Sequence, residues 1–262
     1  MIGIFDSGLG GLTALKEARA LLPSADFVYF GDTGRVPYGP RSNDTIVHYA
    51  TQIMHFLAEL HVSAVLTACG TVSSVALDSL RAFCQFPLIG VVEPASQAAV
   101  AATKNGKIGI IGTGATIKSG AFERAIHKSA PNVKTMGEAC PLFVPLVENG
   151  YIDANDSVTL EVARRYLAPI KAFGADTLIL GCTHFPIIAD CIRQVLPDVT
   201  LINSGKEAAR ALADTLSAEA KAGSGNLMCY VSDNPQNFRE IASVFLSSRF
   251  DAPICKVNIE SY

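Results

Sequence analysis

The chain has 262 residues, of which 49% are hydrophobic and 17% are charged, so it can bury the core of one large domain or two small ones. Its formal net charge of −3 gives no electrostatic reason to expect nucleic acid or an anionic membrane as a partner. No run approaches the roughly 20 apolar residues that span a bilayer, and the first residues lack the basic start of a signal peptide. We therefore expect a cytoplasmic protein.

The seven cysteines are an odd number and are widely spread, which suits reduced thiols better than a disulfide framework. They show no CxxC or CxxxH spacing of the kind found in zinc sites, and we predict no metal site. We interpret four of them as small buried hydrophobic residues: Cys84, Cys191, Cys229 and Cys255.

The chain opens with a predicted strand, Met1 to Phe5, followed by the glycine-rich turn DSGLGG and a helical pattern of apolar residues. Strand, turn and helix in this order begin a βαβ unit. The glycines allow a tight turn and let backbone N–H groups approach an anion. Asp6, at the end of the strand, is a candidate acid or base, and the alternative is that it caps the helix.

The next predicted strand, Phe27 to Phe30, leads into the loop GDTGRVPYGPRS, whose length is uncommon in a loop without a function. Within this loop the turn at Tyr38 and Gly39 can present a phenol and a backbone N–H. A helix is predicted from Asp44 to Glu59.

Two apolar runs, one in each half of the chain, end in a cysteine. The first is AVLTACGT, with Cys69 after the strand, and the second is LILGCTHFP, with Cys182 after the strand. Such runs are typical of parallel strands that are buried on both faces, and ligands of α/β sheets bind outside the carboxyl ends of the strands. We predict that the two thiols face each other across one small molecule.

A predicted strand from Lys107 to Ile111 is followed by GTGATIKSGAF, which is close to a dinucleotide-binding fingerprint. Ile117 stands where the third glycine is required, and no acidic residue marks a ribose site about 20 residues later, so we do not predict dinucleotide binding. The alternative is a threonine- and lysine-bearing turn that lines a small anionic site.

Glu148 closes the apolar stretch ACPLFVPLVE. Desolvation raises the pKa of a carboxylate in such a position and suits it to proton transfer. The alternative is a solvated residue at the end of a helix.

Predicted strands and helices alternate along the whole chain, which indicates an α/β fold with parallel sheets. Each half begins with an apolar strand and a glycine-rich turn, and each half carries one cysteine strand. We therefore predict two pseudo-symmetric parallel-sheet α/β domains with the active site between them. Residues 1–94 and 207–262 form the first, discontinuous domain, and residues 95–206 form the second.

Two thiols on opposite faces of one carbon can invert a stereocentre, because one removes a proton and the other returns one, with no metal or organic cofactor. One sulfur must then be a thiolate, which helix N-termini and nearby donors favour. Asp6 is the predicted partner of Cys69, and His184 is the predicted partner of Cys182.

Seven stretches occur in a fixed order over nearly the whole chain: FDSGLGG, PYGPRS, the Cys69 stretch, GVVEPA, GTGATIKSGAF, ACPLFVPLVENG and LGCTHFP. Together they resemble the cofactor-independent aspartate/glutamate racemase family, and within it the bacterial glutamate racemases. The resemblance implies a homodimer that interconverts L- and D-glutamate and supplies D-glutamate for peptidoglycan. The catalytic residues that it implies are Cys69, Cys182, Asp6, Glu148 and His184. The substrate-binding residues that it implies are Asp6, Ser7, Tyr38, Gly39, the backbone at Gly70, Thr71, Thr183 and His184.

One position departs from the family pattern, because the family usually has Cys-Asn-Thr where this chain has Cys69-Gly70-Thr71. The missing amide removes hydrogen bonds to a charged ligand, each worth roughly 1.5 to 3 kcal/mol. We expect weakened substrate binding with the thiol chemistry retained, and we expect Gly70→Asn to lower KM.

Three alternatives are left open by the sequence. A related racemase could act on aspartate or another acidic amino acid. A cysteine hydrolase could use Cys182 and His184, although residues so close in sequence rarely face each other and Cys69 would have no role. A catalytically silent amino-acid-binding protein is the third, and the presence of both thiols argues against it.

Overall fold

The computed structural model describes residues 1–246 and 249–262, which form strands and helices in alternation. The strands are β1 (Ile2–Asp6), β2 (Phe27–Gly31), β3 (Ala64–Thr67), β4 (Leu88–Gly90), β5 (Lys107–Gly112), β6 (Lys134–Ala139), β7 (Thr177–Leu180), β8 (Thr200–Asn203), β9 (Leu227–Val231) and β10 (Ile254–Lys256). The α-helices are α1 (Leu12–Leu21), α2 (Asn43–Glu59), α3 (Gly70–Val75), α4 (Leu77–Arg81), α5 (Val92–Ala102), α6 (Gly114–Ser119), α7 (Ala121–Ser129), α8 (Phe143–Glu148), α9 (Ser157–Phe173), α10 (Ala189–Val195), α11 (Ser204–Thr215), α12 (Ala218–Lys221) and α13 (Pro235–Phe245). Short 3₁₀ helices lie at Phe185–Ile188 and Ile259–Ser261.

The strands form two sheets in which every pairing between the described strands is parallel. The first sheet has the order β10-β9-β2-β1-β3-β4, so it combines strands from both ends of the chain. The second sheet has the order β6-β5-β7-β8. The predicted α/β class with parallel sheets is confirmed.

The central strands carry unbroken apolar runs because both of their faces are covered. In β1, Ile2 and Ile4 belong to one cluster of buried apolar side chains, and Phe5 belongs to another on the opposite face. The first cluster also contains side chains from the second sheet, such as Ile110 of β5. One continuous apolar core therefore joins the two sheets.

Two of the strands, β6 and β10, have no apolar run that would predict them from the sequence. β6 and β10 are the outer strands of their sheets, and their side chains are half-buried or exposed. An outer strand that is covered on only part of its surface does not need an apolar run, so it gives no strong signal in the sequence. The chain after Cys69 forms two short helices, since α3 ends before Ala76 and α4 begins after it.

The glycine-rich segment 222–226, which reads as a linker in the sequence, is attached to the first sheet. The carboxylate of Asp26 accepts hydrogen bonds from the backbone N–H groups of Ser224 (3.1 Å) and Asn226 (2.9 Å). Arg19 also donates to the carbonyl of Gly225. These bonds hold the segment where it enters β9. In the part of the chain that is described, none of the helices combines the length and the apolar character needed to cross a membrane.

Ile110 offers a test of the continuous core, because its side chain is fully buried in the middle of β5. Ile110→Ala removes methyl and methylene groups from close packing, and we expect the free energy of unfolding to fall by about 2 to 5 kcal/mol in urea denaturation. Val158, which is 47% exposed on α9, is the control, and Val158→Ala should change that free energy by less than about 0.5 kcal/mol. Equal losses in the two variants would contradict this description of the core.

Candidate active site

A cavity of about 480 Å³ opens where the carboxyl ends of β1 and β3 meet those of β5 and β7. It is lined by Ser7, Gly8, Val36, Pro37, Tyr38, Gly39, Pro40, Cys69, Gly70, Thr71, Thr113, Gly114, Pro141, Val144, Pro145, Glu148, Cys182, Thr183 and His184. A wider groove of about 740 Å³ along α1 holds none of the predicted site residues.

The cavity brings together the residues that the sequence singled out. Both cysteines line it, and each follows the end of a strand, Cys69 after β3 and Cys182 after β7. Every other predicted catalytic or binding residue also lines the cavity, with the exception of Asp6. Asp6 ends β1 and is completely buried.

The thiol of Cys69 lies at the start of α3, where its Sγ donates to the hydroxyl of Ser7 at 3.5 Å. Burial raises the pKa of this thiol to about 12, and the nearby carboxylate of Asp6 adds to the increase. The Ser7 hydroxyl opposes this shift without reversing it. Cys69 therefore carries its proton at neutral pH.

At the other thiol, Nδ1 of His184 is 3.9 Å from Sγ of Cys182, and Nε2 is 3.0 Å from Oε1 of Glu148. Burial opposes a charge on His184, but the hydrogen bonds to Cys182 and Glu148 outweigh it and raise the pKa of the imidazole to about 10. His184 is therefore an imidazolium at neutral pH. Glu148, at the end of α8, faces this imidazolium instead of being a fully solvated helix-end residue.

Cys182 and His184 face each other, although residues so close in sequence rarely do. A 3₁₀ helix begins directly after His184, and the N–H of Phe185 donates to the carbonyl of Cys182 at 3.1 Å. This turn folds the backbone back, so that the imidazole lies beside the sulfur. Phe245 of α13 packs edge-on against the same ring.

Asp6 lies behind the cavity and interacts with both thiol sites. Its Oδ2 accepts from the N–H of Gly8 at 3.0 Å, whereas its Oδ1 has no hydrogen-bond partner among the described residues. Burial raises the pKa of this carboxyl, and the positive charge of His184 opposes that shift. Asp6 does not cap the helix, because the N-cap of α1 is Gly11 and no side chain caps it.

The glycine-rich turn after β1 packs against the Cys182 segment. A Cβ on Gly10 would overlap Oγ1 of Thr183 and would lie 2.6 Å from Nδ1 of His184. Thr13, in the first turn of α1, donates to the carbonyl of Thr183 at 3.0 Å. The glycine at position 10 therefore permits a close backbone approach to the second cysteine strand, in addition to the tight turn that was predicted.

The phenol of Tyr38 is bound by another side chain of the protein. Its hydroxyl donates to Oδ2 of Asp32, a fully buried carboxylate that also accepts from Nε of Arg35 and Oγ of Ser232, each at 2.7 Å. The phenol proton is therefore held by Asp32, and contact between the phenol oxygen and a ligand stays a prediction. Tyr38 contributes its ring to the cavity wall and anchors the loop that follows β2.

Gly70 does not leave the open space that the family comparison suggested. A Cβ at this position would overlap the carbonyl oxygen of Gly181 and would lie 3.0 Å from its carbonyl carbon. The expectation that Gly70→Asn lowers KM assumed room for a side chain, and in this structure the backbone of the second cysteine strand fills that room.

The turn between β5 and α6 contributes Thr113 and Gly114, which the sequence analysis did not single out. Oγ1 of Thr113 is 2.9 Å from Oγ1 of Thr71 and also caps α6. The signal in the sequence that could have identified Thr113 was its position between the end of a strand and the start of a helix. Lys118 of the same turn is exposed and does not line the cavity, so of the predicted threonine- and lysine-bearing turn only the threonine reaches the site.

The polar groups of the cavity are mainly hydroxyls and backbone amides. No lysine or arginine is among the lining residues, and the basic side chain that reaches the cavity is His184. Across residues 1–246 and 249–262 there is also no group of three or more His, Cys, Asp or Glu side chains placed to hold a metal ion.

The chain is similar to known proteins in both sequence and fold. A profile of the Asp/Glu/hydantoin racemase family matches residues 13–212. The chain is 40% identical to a glutamate racemase of Geobacter metallireducens over 265 residues, which cover 99% of this chain and 97% of the relative. Its fold is similar to the crystal structure of glutamate racemase from Francisella tularensis in complex with D-glutamate, with a TM-score of 0.91, 35% identity and coverage of 100% of this chain and 98% of that one. It is also similar to the glutamate racemase of Thermus thermophilus in complex with beta-chloro-D-alanine, with a TM-score of 0.89, 42% identity and coverage of 100% and 98%. The chain therefore belongs to the Asp/Glu/hydantoin racemase family.

Proposed function

We propose that this protein interconverts L- and D-glutamate without a cofactor, by proton exchange between two thiols. The observation that carries the proposal is that Cys69 and Cys182 line one cavity in a chain whose relatives are glutamate racemases. Racemisation by this route needs a base on one face of the α-carbon and an acid on the other, and the two sulfurs come from different sheets.

The proposed reaction exchanges one proton for another. The thiolate of one cysteine takes the α-proton of the bound amino acid, which leaves the bonding electron pair on the α-carbon. The thiol of the other cysteine then donates its proton to the opposite face of that carbon, which inverts the centre and leaves this second cysteine as the thiolate. The reverse reaction uses the same two groups with their roles exchanged.

Three side chains assist the thiols in this proposal. His184 assists Cys182, since its Nδ1 is 3.9 Å from the sulfur, and Glu148 holds the imidazolium from the other side at 3.0 Å. Asp6 assists Cys69, because its negative charge raises the pKa of that thiol and so keeps the proton on the sulfur. Protonation of Asp6 would lower the energy of the Cys69 thiolate.

The substrate groups are proposed to be held by the polar lining of the cavity. The hydroxyls of Ser7, Thr71 and Thr183 and the backbone at Gly39 and Gly70 offer donors to the carboxylates of an acidic amino acid. The imidazolium of His184 adds the positive charge. Asp6 does not line the cavity, and its proposed role is to act on the thiol of Cys69 and on the imidazolium of His184.

We propose that the active site lies between two domains, residues 1–94 plus 207–262 and residues 95–206. The distribution of the strands supports this division, because β1–β4, β9 and β10 form one sheet and β5–β8 form the other. Both boundaries lie in the first turn of a helix, α5 and α11. A homodimer, a cytoplasmic location and the supply of D-glutamate for peptidoglycan are proposed from membership of the family.

A cysteine hydrolase is the second candidate, since Nδ1 of His184 lies beside Sγ of Cys182. That reaction would leave Cys69 unused, although it lines the same cavity. Racemisation of aspartate is the third candidate, because Gly70 lines the cavity at a position where the family usually has asparagine. The optical rotation of each amino acid, followed in the presence of the protein, separates these activities.

The two-thiol scheme predicts that both cysteines are required. Incubation with L-glutamate should bring its circular dichroism signal to zero, and Cys69→Ser and Cys182→Ser should each slow this by about 10² to 10⁴-fold, because each removes one acid–base group. In deuterium oxide, the residual exchange of the α-proton in each variant should favour one enantiomer.

Cys255→Ser is the matched control, since Cys255 does not line the cavity. It is exposed on β10, so the interpretation of this cysteine as a buried residue is wrong. This variant should racemise glutamate at the rate of the unmodified protein. Undiminished racemisation in either Cys69→Ser or Cys182→Ser would refute the two-thiol scheme, and a persistent signal from L-glutamate with the unmodified protein would refute the activity itself.

The pair of His184 and Glu148 also predicts a pH-dependent stability. The pKa of His184 rises from its ordinary value of 6.5 to about 10 on folding, so its contribution is complete below pH 6.5 and is lost progressively as the pH rises to about 10. Glu148→Gln weakens this contribution. The difference in melting temperature between the unmodified protein and this variant should therefore shrink between pH 7 and pH 10.

Glu161→Gln provides the comparison for this experiment, because Glu161 is paired with Arg165 at 2.9 Å on the exposed face of α9. Arginine keeps its charge over this range, so the effect of Glu161→Gln should be independent of pH. A constant difference for Glu148→Gln as well would contradict the assigned pair.

A further inference from the structure

The two cysteine strands touch through their backbones at two glycines. Gly70 directly follows Cys69, and Gly181 directly precedes Cys182. The Cβ position of Gly70 overlaps the carbonyl oxygen of Gly181 and is 3.7 Å from Cα of Cys182. Only a hydrogen atom fits there, in the manner of a Cα–H···O contact between backbones.

Hydrogen bonds hold the backbone on both sides of this contact. The N–H of Gly181 donates to the carbonyl of Ile111 at 2.8 Å, which ties that backbone to β5. On the other side, Ser73 of α3 donates from its hydroxyl to the carbonyl of Thr67 at 3.0 Å and accepts from the N–H of Val91 at 3.2 Å. A side chain at position 70 would therefore have to displace one sheet relative to the other.

We propose that Gly70 is a positioning residue that sets the distance between the thiols of Cys69 and Cys182. It does so by letting the two backbones that carry these thiols touch. This role rests on the two-thiol racemisation proposed above. Gly70 takes no part in proton transfer, and its contribution to the distance between the thiols is the absence of a Cβ.

The proposal has a steric signature. Any Cβ at position 70 requires the backbones to separate by about 1 Å, and a displacement of this size between reacting groups costs on the order of 10²-fold in rate. Alanine and asparagine share the Cβ and differ in hydrogen bonding. If the role is steric, both variants lose turnover, whereas a missing substrate amide would make asparagine better than glycine.

The test measures kcat and KM for L-glutamate by circular dichroism in the unmodified protein, Gly70→Ala and Gly70→Asn. We expect kcat to fall about 10²-fold in both variants, with a smaller change in KM. Gly34→Ala is the control, because Gly34 lies outside the cavity and the atom nearest to its Cβ would be Oγ of Ser232 at 3.3 Å, followed by Cβ of Asp233 at 3.4 Å. This control should keep the kcat of the unmodified protein.

Unchanged kcat in Gly70→Ala, or higher turnover in Gly70→Asn, would overturn the proposal while leaving the racemase activity in place. Failure of the unmodified protein to racemise glutamate would instead refute the proposed function. The two failures are therefore distinguishable in the same set of assays.

A second measurement reports whether the two thiols are within reach of each other, and its first result is obtained with the unmodified protein. Dibromobimane, a short reagent that joins two neighbouring thiols, should crosslink Cys69 to Cys182 in the unmodified protein, as mapped by mass spectrometry of peptides. Cys69→Ser should abolish this crosslink, and Gly70→Ala should reduce its yield several-fold. Absence of the crosslink in the unmodified protein, or an equal yield in folded Gly70→Ala, would overturn the proposal.

Discussion

Direct backbone contact between the two cysteine-bearing halves is the constraint on which the rest of the site depends. Gly10 packs against Thr183 and His184, and Gly70 packs against Gly181, in each case with no room for a Cβ. Since the apolar core continues from one sheet to the other, these contacts are supported on both sides. The strand ends are therefore held as one unit, and two thiols far apart in sequence line the same cavity.

The electrostatics of the cavity follow from this close packing. Burial keeps the proton on Cys69, with Asp6 adding to the effect, whereas Glu148 and Cys182 stabilise the imidazolium of His184 against the same burial. The two thiols thus have unlike partners, a buried carboxyl at one and a cation at the other. Such an asymmetry suits a reaction in which one sulfur must hold a proton while the other accepts one.

The sequence was sufficient to predict the central strands, their parallel arrangement and most of the candidate residues that share one cavity, because each depends on a local pattern. Buried parallel strands require apolar runs, and polar residues at their carboxyl ends lie at one edge of the sheet. The outer strands β6 and β10 were missed since partial exposure leaves no such pattern. The partner of the Tyr38 phenol, Asp32, gave no separate signal.

By itself, the sequence determined which residues can carry the chemistry: two cysteines after buried strands, an aspartate after the first strand, and a histidine beside the second thiol. Only the tertiary structure decided how they act on each other. Contacts such as Glu148 with His184, Asp32 with Tyr38 and Gly70 with Gly181 join residues from distant parts of the chain. The sequence shows that position 70 has no side chain. The atom that would collide with a side chain there, the carbonyl oxygen of Gly181, is brought close by the packing of the two sheets.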